Sequence, residues 1–170
     1  MAATIDIYLV RHAIAGERGP AYPDDRLRPL TPAGTARFKE TVAGLRELDI
    51  TIDLIITSPL VRARQTAELL AAGLPGKPPI EVLDALAPAG RTAIVVDTIA
   101  KHARRRQRRL ALVGHQPDLG ELGSRLLSAR GTLELKKGGV ARIELDGATP
   151  GGPGTLHWML PPRVLRKLGR

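Results

Sequence analysis

Apolar positions fall into short blocks of two periods. Residues 4–10, TIDIYLV, alternate and then run continuously apolar, the pattern of a strand buried on both faces at its C-terminal end. Thr31 and Pro32 then read as an N-cap and first helical residue, and Phe38, Val42, Leu45 and Leu48 follow at helical spacing. DLIITSP at 53–59 repeats the device: a strand, then a helix with Ser58 as cap and Pro59 in the first position, reaching about Ala72. Strands are predicted at 80–83, 109–113, 140–146 and 155–160. Helices are predicted at 91–104, from Pro117 and Asp118 to about Ser128, and in the closing PPRVLRKLG. Strands alternating with helices predict an α/β three-layer sandwich, with a mostly parallel central sheet and helices on both faces.

Between these blocks lie two Gly/Pro-rich stretches. Residues 15–30 form a long polar loop, and a loop of that length in a compact domain is usually functional. GATPGGPG at 147–154 reads as a hairpin loop, not a linker, so residues 1–170 are expected to form one domain.

Composition narrows the chemistry. There is no cysteine, which excludes disulfides, thiolate nucleophiles and Cys-ligated metals. Aromatics make up 2% of the chain, so a base-stacking nucleic-acid surface is not expected. MAATIDIYLV carries acids where a signal peptide carries bases, and no apolar run reaches membrane-spanning length, so a cytoplasmic protein without membrane contact is expected. The net charge of +9 favours anionic partners.

The strand ends say which anion. In open α/β sheets ligands bind beyond the carboxyl ends of the strands. Arg11 and His12 stand at the end of the first strand, Ser58 and Arg62 follow the second, and His115 follows the strand at 109–113. If those strands are neighbours, two imidazoles and two guanidinium groups meet at one edge. Their natural guest is a phosphoryl group.

VRHA, RPLTPAG, TSPLVRARQTA and VGHQP, in that order and spacing, resemble the histidine phosphatase superfamily. RPLT before the first helix and the ending ARIELD…TLHWML resemble its small SixA-type phosphohistidine phosphatases. The resemblance implies a phosphoglycerate-mutase-like fold. It makes His12 the nucleophile, with Arg11, Arg62 and His115 clamping the phosphoryl oxygens. Arg28 would reach the same pocket from the loop, with Ser58 and Gln65 in support. No metal or other cofactor is implied. Phosphohistidine on a protein, such as a histidine phosphotransfer domain, is the leading substrate.

Two departures matter. The family's usual Arg-His-Gly is here Arg-His-Ala, and Ala13 is tolerable if its φ stays negative. Where many relatives carry a general acid, only Glu81 and Asp84 lie near, neither at the expected place. That favours a phosphorylated imidazole, a better leaving group than an alkoxide. Two other functions compete: a phosphatase for a small ester or nucleotide, and a non-catalytic module using its basic surface to bind nucleic acid or a phosphoprotein. The basic run KHARRRQRR at 101–109 is expected to be a solvated helix end that complements the helix dipole, with His102 exposed, and a docking patch is the alternative. Trp158 is expected in the core with His157 facing away, and Gly114 to permit a sharp turn before His115.

Overall fold

The computed structural model describes residues 3–147 and 150–170. Its elements in chain order are β1 (Ile5–Arg11), α1 (Pro32–Glu47), β2 (Leu54–Thr57), α2 (Val61–Gly73), β3 (Ile80–Val82), α3 (Thr92–Arg104), β4 (Arg109–Gly114), α4 (Asp118–Leu127), β5 (Val140–Leu145), β6 (Thr155–Leu160) and α5 (Pro162–Leu168). Short 3-10 turns stand at Asp25–Leu27 and Asp84–Leu86. α1 starts as its sequence dictates, with the Thr31 hydroxyl accepting from Gly34 N–H at 2.9 Å.

The six strands lie in the order β3-β2-β4-β1-β5-β6. β3, β2, β4 and β1 are parallel, while β5 and β6 run antiparallel. Parallel strands need crossover connections, which the helices supply. The two-residue period of the strands then builds two cores. Ile5, Ile7, Leu9, Leu54, Ile56, Leu110 and Leu112 face α3 and α4. Tyr8, Val10, Ile55, Ala111 and Val113 face α1, α2 and α5. A Cβ on Gly44 of α1 would run into the Leu165 carbonyl oxygen, so glycine sets how closely α5 approaches α1.

Several local expectations change. α2 begins at Val61, with Leu60 as its cap residue, so Ser58 lies before the helix and does not cap it. Its hydroxyl does accept from Leu60 N–H at 3.3 Å, closing a turn on the approach. His102 is buried, 2% exposed, because the last turn of α3 folds against Glu81 of β3 and Gln107. Lys101 and Arg104 of that turn stay exposed, as a solvated helix end requires. Gly114 remains in β4 with φ outside the left-handed region; a side chain there would press on Leu119. Trp158 is half-buried against Tyr8, ring centroids 6.2 Å apart, and His157 faces outward beside Glu144. The loop 147–154 joins two antiparallel strands as a hairpin loop does, though residues 148 and 149 lie outside the described residues, as do residues 1 and 2 of the N-terminal segment. No helix among the described residues is long and apolar enough to cross a membrane.

Candidate active site

β2, β4 and β1 are neighbours, which brings their C-terminal ends into one row. Arg11 pairs with Gly114 and Thr57 with Val113 across the ladder. The row continues one residue past the strands: His12 N–H donates to the Gly114 carbonyl at 3.0 Å and Ser58 N–H to the Val113 carbonyl at 2.9 Å. The His12 and His115 rings therefore stand with centroids 5.2 Å apart. Arg62, on the first turn of α2, enters from the side and is 2% exposed.

Each of these side chains is held by one part and bare at another. His12 Nδ1 lies 2.7 Å from the Ala13 carbonyl oxygen, which can only accept. The Nδ1 proton is thereby fixed, and Nε2 keeps the lone pair. Ser58 Oγ lies 2.8 Å from His115 Nε2, while His115 Nδ1 is buried with no partner. Arg11 Nη1 donates to the Leu135 carbonyl at 2.8 Å, and its Nε is buried and unpaired. Arg62 Nη1 and Nη2 donate to Asp25, and its Nε is likewise buried and unpaired. Buried N–H groups on cations normally find acceptors, because leaving one bare costs its full desolvation. Two such groups lie beside two imidazoles here, an arrangement chemically suited to an anion with several oxygens.

Burial sets the charge state. It pushes His12 down to about 4 against the opposing bond to Ala13, with repulsion from Arg62, Arg11 and Lys137 adding to it. It pushes His115 down to about 3, helped by His12 and Arg62. Both imidazoles are neutral at pH 7. Burial also lowers Arg62, partly offset by the Asp25 carboxylate, but a guanidinium stays charged under these conditions.

The remaining expected residues sort clearly. Arg28 is 7% exposed and donates to Asp25 Oδ1 at 2.9 Å and to the Gly16 carbonyl at 2.7 Å, so one carboxylate joins it to Arg62. Gln65 accepts from Leu30 N–H at 2.8 Å through its side-chain oxygen and so pins the loop. Glu81 is engaged with His102 at 3.3 Å. Asp84 lines an open groove of about 530 Å³, walled also by Leu27, Pro59, Leu60 and Arg64. Ala13 has no left-handed φ, and its N–H donates to Thr66 at 3.0 Å, so the methyl group is accommodated. Lys137 was not foreseen: Gly138 N–H donates to the Arg11 and His12 carbonyls, both at 3.1 Å, and this carries the preceding lysine toward the site. Nothing short-range in LKKGG announces that contact. Among the described residues no group of three or more His, Asp or Glu is placed to hold a metal ion.

Two neutral imidazoles and two largely buried arginines thus meet at the strand ends of an α/β sheet. Residues 7–89 match the histidine phosphatase superfamily (branch 1). An uncharacterized protein of Picosynechococcus is 40% identical over 85% of this chain and 87% of its own length. The phosphohistidine phosphatase SixA of Escherichia coli is 25% identical over 95% of this chain and 97% of its own. A solved structure of the protein histidine phosphatase SixA with tungstate superposes with a TM-score of 0.85 at 25% identity, over 95% of this chain and 99% of that one. A phosphoglycerate mutase of Bacillus anthracis shares the fold, with a TM-score of 0.72 at 15% identity over 99% and 97% of the two chains. The chain belongs to the histidine phosphatase superfamily. Along 95% of its length it is similar to SixA in both sequence and structure.

Proposed function

We propose that this protein, a phosphatase by family, hydrolyses phosphohistidine on another protein through a covalent phosphohistidine of its own at His12. The observation that carries the reading is the neutral His12 ring with Nδ1 locked on the Ala13 carbonyl and Nε2 left as nucleophile beside buried, unpaired guanidinium nitrogens.

In the first step Nε2 bonds to phosphorus while the substrate's P–N bond breaks, and the substrate ring, protonated from solvent at its other nitrogen, leaves as a neutral imidazole with the bonding pair. In the second, water attacks the phosphorus, the His12–phosphorus bond breaks, and inorganic phosphate departs. Phosphoryl transfer proceeds through a loose transition state, so charge on the equatorial oxygens needs donors already in place. Arg11, Arg62 and His115 are suited to that role. An imidazole leaving group makes little demand on an acid, which agrees with Glu81 being engaged elsewhere. The open groove, bounded by chain neighbours of Asp25, Ser58 and Arg62, leaves room for a polypeptide surface. SixA is solved with tungstate, a tetrahedral oxyanion of the kind this seat would take.

A second reading, small phosphate esters as substrates, draws on Asp84, the one carboxylate in the groove wall besides Asp24. It could supply the proton an alkoxide requires. The test is a comparison of kcat/KM for a phosphorylated histidine phosphotransfer domain, a sugar phosphate and a mononucleotide. Preference for the phosphoprotein by more than about tenfold supports the first reading; the reverse preference, lost in Asp84→Asn, replaces it with the second.

A further inference from the structure

Asp25 sits at the tip of the long loop, and the loop is folded so as to hold it there. Ala15 and Leu30 form an isolated antiparallel bridge, and Gly16 N–H donates to the Pro29 carbonyl at 3.0 Å. From the 3-10 turn between, Asp25 makes two contacts with one guanidinium. Arg62 Nη1 donates to its backbone carbonyl at 2.8 Å, and Nη2 donates to Oδ2 at 3.0 Å. The other carboxylate oxygen accepts from Arg28 Nε at 2.9 Å. Arg18 adds a longer ion pair at 3.7 Å.

A guanidinium is a rigid plane. Held at both Nη atoms, Arg62 has its remaining edge set, and that edge carries the buried, unpaired Nε. We propose that Asp25 is a positioning residue for phosphoryl transfer, fixing from one loop the Arg62 edge that meets the phosphoryl oxygens. The inference rests on the phosphatase reading above and deepens it.

Two other roles fit the geometry less well. A general acid must carry a proton, but the Arg28 hydrogen bond and the Arg62 charge hold the Asp25 carboxyl below the usual carboxylate range. A plug occupying the anion's seat would engage the inward donor. Arg62 Nε stays free instead, and the Asp25 side chain remains 42% exposed where that of Arg62 is 2% exposed.

The test uses Asp25→Asn, which keeps the acceptor oxygen and removes the charge, with Asp25→Ala beside it. Glu40→Ala serves as control, since it removes a carboxylate on α1 whose ion pairs, to Arg166 and Arg170, lie outside the loop. Against an aryl phosphate, Asp25→Asn is expected to lower kcat about 10- to 100-fold with KM changed far less. Glu40→Ala is expected to leave kcat near wild type. In an Arg62→Ala background, Asp25→Asn should change kcat by less than about twofold, because its effect runs through Arg62. Calorimetric binding of inorganic phosphate should weaken about tenfold in Asp25→Asn. That readout stands even if the wild type turns over no ester, so the two proposals fail separately. Unchanged or tighter phosphate binding with unchanged or higher kcat would overturn the role. So would an Asp25 effect that persists in full without Arg62.

Discussion

The molecule buries histidine and gathers arginine in two places, and it treats them in opposite ways. At the far end of α3, both ring nitrogens of His102 have partners, Nδ1 at 2.6 Å from Gln107 and Nε2 at 3.3 Å from Glu81. Nearby, Arg109 donates to Asp53 through Nε at 3.1 Å and also bonds Thr51. At the β1–β4–β2 edge, His115 and two arginines each keep a buried nitrogen with no partner in the protein. The first region pairs its own polar groups within the protein. The second leaves three nitrogens open along one edge of the sheet, which is what the proposed phosphoryl seat requires. The presence of histidine and arginine says little by itself; what distinguishes a site is the donor the fold refuses to pair.

That contrast breaks most sharply at His12. His12→Ala is expected to reduce turnover of an aryl phosphate by at least about a thousandfold, since it removes the nitrogen that takes the phosphoryl group in the proposed first step. Arg62→Ala is expected to cost about 2 to 4 kcal/mol in kcat/KM, by comparison with loss of an oxyanion donor. His102→Ala should do the reverse. It should leave kcat/KM within about twofold and lower stability by about 1 to 3 kcal/mol, because it strips partners from Gln107 and Glu81 and opens a cavity. A large catalytic loss in His102→Ala, with the fold intact, would erase the distinction between the two regions.

Acid sharpens it further. The folded values of about 4 for His12 and about 3 for His115 lie below the unfolded value near 6.5. Between these limits the unfolded chain binds more protons, so their contribution to stability is complete above about pH 6.5 and declines as pH falls toward 4 and 3. Proton NMR titration should show both rings neutral down to about pH 5, and denaturant midpoints should drop across the same window. Titration of either ring near pH 6.5 contradicts the burial argument. The smallest effect is reserved for Ala13→Gly. With negative φ already in place, restoring the family's glycine should leave activity unchanged and cost about 1 kcal/mol of stability.

Much of this was legible in the chain because its signals are local. Thr31 and Pro32 start α1 where they promise to, and the strand that ends in Arg11, just before His12, is announced by its own apolar run. What escaped is what two distant segments decide together. Ser58 before Pro59 reads as a helix cap, yet α2 starts three residues on and the hydroxyl turns to His115. His102 sits in a basic run that reads as solvated, and nothing in that run reveals that the edge strand brings Glu81 over it. Asp25 lies 37 residues from the arginine it grips. Side-chain pairing across a loop has no period, so no pattern along the chain encodes it.

The central claim is that His12, neutral and held by its own backbone neighbour, takes the phosphoryl group on Nε2. Rapid quenching under alkaline conditions during turnover, followed by peptide mapping and phosphorus NMR, tests it directly. The account predicts an acid-labile phosphoryl group on Nε2 of His12, absent from His12→Ala. A phosphoryl group on Nδ1, on His115 or on any other residue, or undiminished turnover in His12→Ala, contradicts it.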